Sequence, residues 1–273
     1  MRNAINLLGR NISYQVMGEG PLVVLLHGFG EDGAIWNRQV KALKGYRLMI
    51  PDLPGTGNSE MIDDMSMEGM AENLLNLVTY DQKENGRGSE TFTLVGHSMG
   101  GYITLAFAEL YPHLLNGFGL VHSTAYADSP EKVDTRRKGI EFIETHGAYE
   151  FLKTSTPNLY APQSREQHPE WISEHLERVH NFSGAALVNY YDSMIKRPDR
   201  TGILKITEVP VLFILGKYDN AVPMKDGLEQ CYLPSLSYID VLYQSGHMGM
   251  IEEEAKTNES LTKFLMNIHH QTR

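Results

Sequence analysis

Two kinds of pattern alternate along the chain. Short runs rich in leucine and β-branched residues, at Leu22–Leu26, 47–50, 91–95, 118–122, 211–215 and 238–242, end in Gly, His, Asp or Pro. Most are apolar at consecutive rather than alternate positions, which predicts strands covered on both faces, as in a parallel sheet flanked by helices. Residues 5–8 and 12–16, separated by Gly9, Arg10 and Asn11, predict an antiparallel hairpin at one sheet edge. The intervening segments have helical spacing. Ser66 can cap a helix whose apolar stripe is Met67, Met70, Ala71, Leu74, Leu77 and Val78, and Leu261, Phe264, Leu265 and Ile268 form the stripe of a last helix. Met61, Met65, Met67 and Met70 could suggest a soft binding surface, but the two on the helical stripe read as core.

The alternation stops between about residues 125 and 200. Ser129-Pro130-Glu131 is an N-cap followed by Pro at the first helical position, His168-Pro169-Glu170 starts another helix, and 183–196 suggests a third. No strand pattern appears until Val209. The expected organisation is an α/β core formed by residues 1–124 and 201–273, with a helical insertion at 125–200 after the sixth strand. That insertion would lie as a lid over the carboxyl edge of the sheet.

Composition narrows the function classes. The chain has 273 residues, 41% hydrophobic and 21% charged, which excludes a disordered chain, a collagen or a coiled coil. With 24 basic and 34 acidic residues, the net charge of −10 opposes a nucleic-acid partner. One cysteine, Cys231, cannot make an internal disulfide or a cysteine-built zinc site. The N-terminus reaches Gly9 before an apolar run of signal-peptide length develops, and no apolar stretch is long enough to cross a bilayer. The expectation is a soluble, cytoplasmic protein with a small-molecule substrate, no membrane partner, no metal and no cofactor.

Two glycine motifs compete for the chemistry. Gly28-Phe29-Gly30-Glu31-Asp32-Gly33 follows a strand and matches a dinucleotide fingerprint, with Asp52 beyond it. Glu31 and Asp32 would then lie beside a pyrophosphate, where that motif needs bare amides and a helix N-terminus to attract negative charge. The second motif is Gly96-His97-Ser98-Met99-Gly100-Gly101, between the run 91–95 and a helical stretch from Tyr102. This is G-x-S-x-G in strand–turn–helix context, where small neighbours let strand and helix pass around a strained serine.

With this motif the chain resembles the α/β-hydrolase superfamily, over nearly its whole length. The matching pieces are Leu26-His27-Gly28-Phe29-Gly30, Pro51-Asp52-Leu53-Pro54-Gly55-Thr56-Gly57-Asn58-Ser59, the serine motif, Gly216-Lys217-Tyr218-Asp219-Asn220-Ala221-Val222-Pro223, and Gly246-His247-Met248. The resemblance implies a triad of Ser98, Asp219 and His247, and an oxyanion hole made by the backbone N–H groups of Phe29 and Met99. The pattern agrees, because each triad residue follows a strand and so lies outside the carboxyl edge of the sheet. A serine hydroxyl needs a neighbouring base, which His247 can supply with Asp219 fixing its tautomer. Asp192 and Asp199 are rival acids but belong to the helical insertion. The strand before that insertion ends in His122-Ser123-Thr124, with no carboxylate there. His97 reads as packing, His175 and His180 as residues of an insertion helix without a ligand set, and Asp52 as a turn-fixing residue.

The insertion contains Tyr126, Phe142, Tyr149, Phe151, Tyr160, Trp171, Phe182, Tyr190 and Tyr191, some of which are expected to line an apolar pocket. It holds ten Lys/Arg and twelve Asp/Glu with no basic cluster along the sequence. The expected reaction is hydrolysis of a small or medium, largely apolar carboxylic ester, lactone or thioester through an acyl-enzyme. Two alternatives stay open: hydrolysis of the carbon–carbon bond of a diketone by the same triad, and a ligand receptor with a slow retained triad.

Overall fold

A computed structural model describes residues 2–7 and 9–270 of the chain. Its eight strands are β1 (Arg2–Leu7), β2 (Arg10–Met17), β3 (Leu22–Leu26), β4 (Arg47–Pro51), β5 (Phe92–His97), β6 (Leu115–Val121), β7 (Val211–Gly216) and β8 (Ser237–Leu242). They form one sheet in the order β1-β2-β4-β3-β5-β6-β7-β8. The pairs β1/β2 and β2/β4 are antiparallel, and every other neighbouring pair is parallel. The N-terminal hairpin sits at the edge as expected, although Leu8 lies outside the described residues.

The consecutive apolar pattern has a direct cause. Successive residues of a strand point to opposite faces. In β3, Val24 and Leu26 pack into one core, while Val23 and Leu25 pack into the other. The first core includes the helices Met67–Glu84 and Met99–Leu110; the second includes Trp36 and the Leu261, Phe264, Leu265 and Ile268 stripe of the helix Glu254–His270. Met67 and Met70 are buried in the first core as expected. The exception is β8. It is an edge strand whose Ile239 and Asp240 are exposed, so its pattern carries no second core.

Ser66 caps the helix Met67–Glu84 by accepting from the Gly69 amide at 3.0 Å. Ser129 and Ser183 likewise cap the helices Pro130–His146 and Gly184–Lys196. Between β6 and β7 the described residues contain helices and no strand. This helical stretch continues past residue 200 through Thr201–Ile206, whose Leu204 packs into the first core. Arg200 secures the return by pairing with Glu68 and with Glu109, the latter at 2.9 Å. Among the described residues no helix is long and apolar enough to cross a membrane.

Candidate active site

Ser98 sits between β5 and the helix Met99–Leu110 with φ 51° and ψ −116°, a left-handed conformation that is costly for a residue with a side chain. The crossing of strand and helix explains the glycines. A Cβ on Gly96 would lie 2.2 Å from the Gly100 backbone, and one on Gly100 would lie 2.6 Å from the His27 carbonyl oxygen. The Ser98 amide donates to the Val121 carbonyl at 2.9 Å, and the Ser123 hydroxyl donates to the Ser98 carbonyl at 2.8 Å, so the strained turn is held from both sides.

Asp219 and His247, from the loops after β7 and β8, meet beside this turn. His247 Nδ1 lies 2.8 Å from Asp219 Oδ2. The other oxygen, Oδ1, accepts from the amides of Ala221 and Val222, each at 2.8 Å. Burial opposes the charge on Asp219, but the charge of His247 and hydrogen bonds from His122 and His247 hold its carboxyl well below the usual carboxylate range. His247 is itself buried, and burial pulls its pKa below the ordinary value. The Asp219 charge opposes that effect without cancelling it. Ser98 and His247 line one cavity of about 140 Å³. Their side chains are not hydrogen-bonded to each other among the described residues. Nucleophile–base hydrogen bonds are commonly long before substrate binds.

Two groups around Asp219 and His247 had no sequence signal. His122, with φ 48°, places Nδ1 at 3.2 Å from Asp219 Oδ2. Its Nε2 is buried without a hydrogen-bond partner, so the ring's polar contact is made through Nδ1. Thus the strand end that lacks a carboxylate instead supplies a donor to Asp219. His122 Nδ1, Asp219 and His247 Nδ1 also form a compact ligand-type cluster, but both ring nitrogens are engaged with the same carboxylate oxygen. Glu252 is the second such group. It accepts from the amides of Gly246 at 2.9 Å and Met248 at 3.2 Å, clamping the loop on both sides of His247.

His97, Glu31, His175 and Asp52 tie together the main chain around the site. His97 is fully buried, with Nδ1 3.0 Å from Glu31 Oε2 and Nε2 2.9 Å from the His247 carbonyl. Glu31 also accepts from the Gly28 amide at 2.7 Å, and despite burial its charge contact with His97 lowers its pKa to about 2. This carboxylate occupies an amide that a nucleotide motif would offer to phosphate. His175 is buried on the helix Pro169–Arg178, where Nε2 lies 3.2 Å from the Gly30 carbonyl. The expectation that His180 shares that helix is corrected: it lies in the exposed turn beyond, because the helix ends at Arg178. Asp52 accepts from the amides of Gly33 and Asn58, each at 3.2 Å, and so fixes its turn as expected.

Phe29 and Met99 flank the cavity region by different means. Met99 is the first residue of its helix, so its N–H has no acceptor within that helix. Phe29 lines the cavity, and its ring stacks on Tyr191 with centroids 4.3 Å apart. Of the nine aromatic residues between 125 and 200, only Tyr191 lines this cavity; Tyr160 and Tyr190 are fully buried in the packing. Lys132 and Arg136, one turn apart on the helix Pro130–His146, add a polar wall that the sequence count did not disclose.

The chain is 26% identical to a 2-hydroxy-6-oxo-6-phenylhexa-2,4-dienoate hydrolase of Comamonas testosteroni, covering 93% of this chain and 91% of the relative. It is 26% identical to a pimeloyl-acyl-carrier-protein methyl ester esterase of Vibrio vulnificus (strain CMCP6), covering 94% and 99%. A thermophilic esterase from Thermogutta terrifontis, solved with malate bound, superposes with a TM-score of 0.90 at 27% identity, covering 98% of this chain and 99% of that one. The sequence pattern of the Alpha/beta hydrolase family matches residues 23–259, and the chain belongs to that family of hydrolytic enzymes.

Proposed function

We propose that the chain is a serine hydrolase acting on small carboxylic esters, lactones or thioesters. The observation that carries this reading is the Asp219–His247 hydrogen bond beside a strained Ser98 on a shared cavity. Ser98 Oγ attacks the substrate carbonyl while His247 Nε2 takes its proton. The N–H groups of Phe29 and Met99 hold the oxyanion, aided by the N-terminal end of the Met99–Leu110 helix. Collapse of the adduct expels the leaving group, which receives the proton from His247. Water, deprotonated by His247, then attacks the acyl-enzyme, releasing the acid and restoring Ser98. Residues 125–200 act as a cap on the catalytic core, 1–124 and 201–273, and close the crevice that Ser98 and His247 line. A cavity of about 140 Å³ suits an acyl group of modest size; an engineered apolar cavity of about 150 Å³ holds benzene.

A panel of p-nitrophenyl esters, lactones and a diketone tests the reading. Turnover of short acyl esters, lost in Ser98→Ala, is the expected result. Preferential cleavage of the diketone would favour carbon–carbon hydrolysis, the second reading, to which the resemblance to the Comamonas testosteroni enzyme lends support. Ligand binding without turnover across the panel would favour the receptor role.

A further inference from the structure

The cavity is electrically asymmetric. Its two acidic neighbours on the sheet side are already satisfied: Glu31 by the Gly28 amide and His97, and Asp219 by two amides and two histidines. The cations on the helical side are not matched in the same way. Asp128, its side chain wholly buried, is shared by Arg136 at 2.6 Å and Arg197 at 3.0 Å. One carboxylate between two guanidiniums leaves a positive charge over. Both guanidiniums also rest on rings that line the cavity, Arg136 over Tyr191 at 5.3 Å and Arg197 over Tyr102 at 3.9 Å. Lys132 reaches the wall beside them and donates to the Ala221 carbonyl, a neutral acceptor. Burial raises the pKa of Asp226 and the charge of Lys132 opposes that, yet the two form no ion pair among the described residues.

We infer that Lys132 and Arg136 form a carboxylate-recognition site, and that the substrate is a small ester carrying a free carboxylate on its acyl chain. This deepens the serine-hydrolase reading and rests on it for the reaction. Three features support the assignment. The two side chains lie one helical turn apart and line the cavity that Ser98 lines. Their surplus charge is only partly screened in a site this enclosed. The carbonyl that Lys132 holds belongs to Ala221, whose amide binds Asp219, so the cation stands next to the loop that carries the triad acid. A neutral, apolar acyl group would leave Lys132 and the surplus charge beside Asp128 without an anion.

The test compares matched substrates. Mono-p-nitrophenyl succinate and glutarate are assayed beside p-nitrophenyl butyrate and valerate, in which a methyl group replaces the terminal carboxylate. The ratio of kcat/KM, charged over neutral, is expected to favour the charged esters. It should fall about tenfold in Lys132→Gln and in Arg136→Gln, through KM, and persist in Lys132→Arg. High salt should reduce the ratio in the wild type. An unchanged ratio in both Gln variants overturns the proposal while leaving the hydrolase reading intact. Calorimetry with glutarate on the Ser98→Ala protein separates binding from turnover. Binding that weakens when Lys132→Gln is added supports the site even if no ester is cleaved, and no binding rejects it. Circular dichroism of each variant identifies any that fails to fold; the Ser98→Ala, Lys132→Gln pair then decides.

Discussion

On the sheet side of the cavity, main-chain geometry does most of the positioning. Ser98 is fixed by a strained turn between crossing glycines, Asp219 by two amides of its own loop, and His247 by amides clamped on Glu252. On the helical side, side chains from separate turns and helices make the wall: Lys132, Arg136, Leu152, Tyr191 and Met194. The first wall is built for fixed distances, which chemistry requires. The second is built from interchangeable side chains, which suit selection among substrates. Substitutions on the sheet side should therefore act on every substrate alike, and those on the helical side should discriminate.

The largest effect is expected at Asp219. Asp219→Asn should lower kcat about 10⁴-fold on all substrates, because the amide stabilises the wrong His247 tautomer. Near-normal activity would mean that another carboxylate orients the histidine. Glu31→Gln should cost about 3–5 kcal/mol of stability, since it leaves His97 buried beside a neutral partner. Urea unfolding measures this as a lower midpoint at unchanged slope. The sign with pH follows from a folded pKa of about 2 against an ordinary value of 4.5. The contribution of Glu31 is complete above pH 4.5 and disappears as pH falls toward about 2, so the variant should lack that part of the acid-unfolding curve.

A smaller effect belongs to the pH profile. Protonated His247 cannot accept the serine proton, and burial lowers its pKa from 6.5, so the acid limb of kcat/KM should fall below pH 6.5. Asp219 is the main influence raising that pKa, and Asp219→Asn should move the limb lower still. A limb at or above pH 7 would contradict this assignment. The smallest effect joins the two walls. Tyr191→Ala removes the stack on Phe29, worth about 1 kcal/mol, and should reduce kcat/KM about fivefold. A loss equal for every acyl chain would instead place Tyr191 with the sheet-side wall.

The same contrast explains what the sequence made legible. The strands, the hairpin, the Ser66 cap and the Ser98 turn depend on neighbours within a few residues, so their constraints appear as contiguous patterns. Asp219 and His247 were readable because each follows a strand run within a short motif. His122 was not: its contact with Asp219 spans 97 residues and needs the strand order β6-β7. Glu31 was visible only as a charge unsuited to a nucleotide site, because its partner His97 is 66 residues away. Lys132 and Arg136 lie on a helix that the sequence marked only by its Ser129-Pro130-Glu131 start. Their inward placement depends on where that helix rests, which no local pattern encodes.

The central claim is that Ser98 is the nucleophile. Labelling with a fluorophosphonate probe, followed by peptide mass spectrometry, tests it most directly. The predicted result is a single adduct on the peptide bearing Ser98, absent from Ser98→Ala and slowed in Asp219→Asn. An adduct on another serine, or labelling that persists in Ser98→Ala, would contradict it.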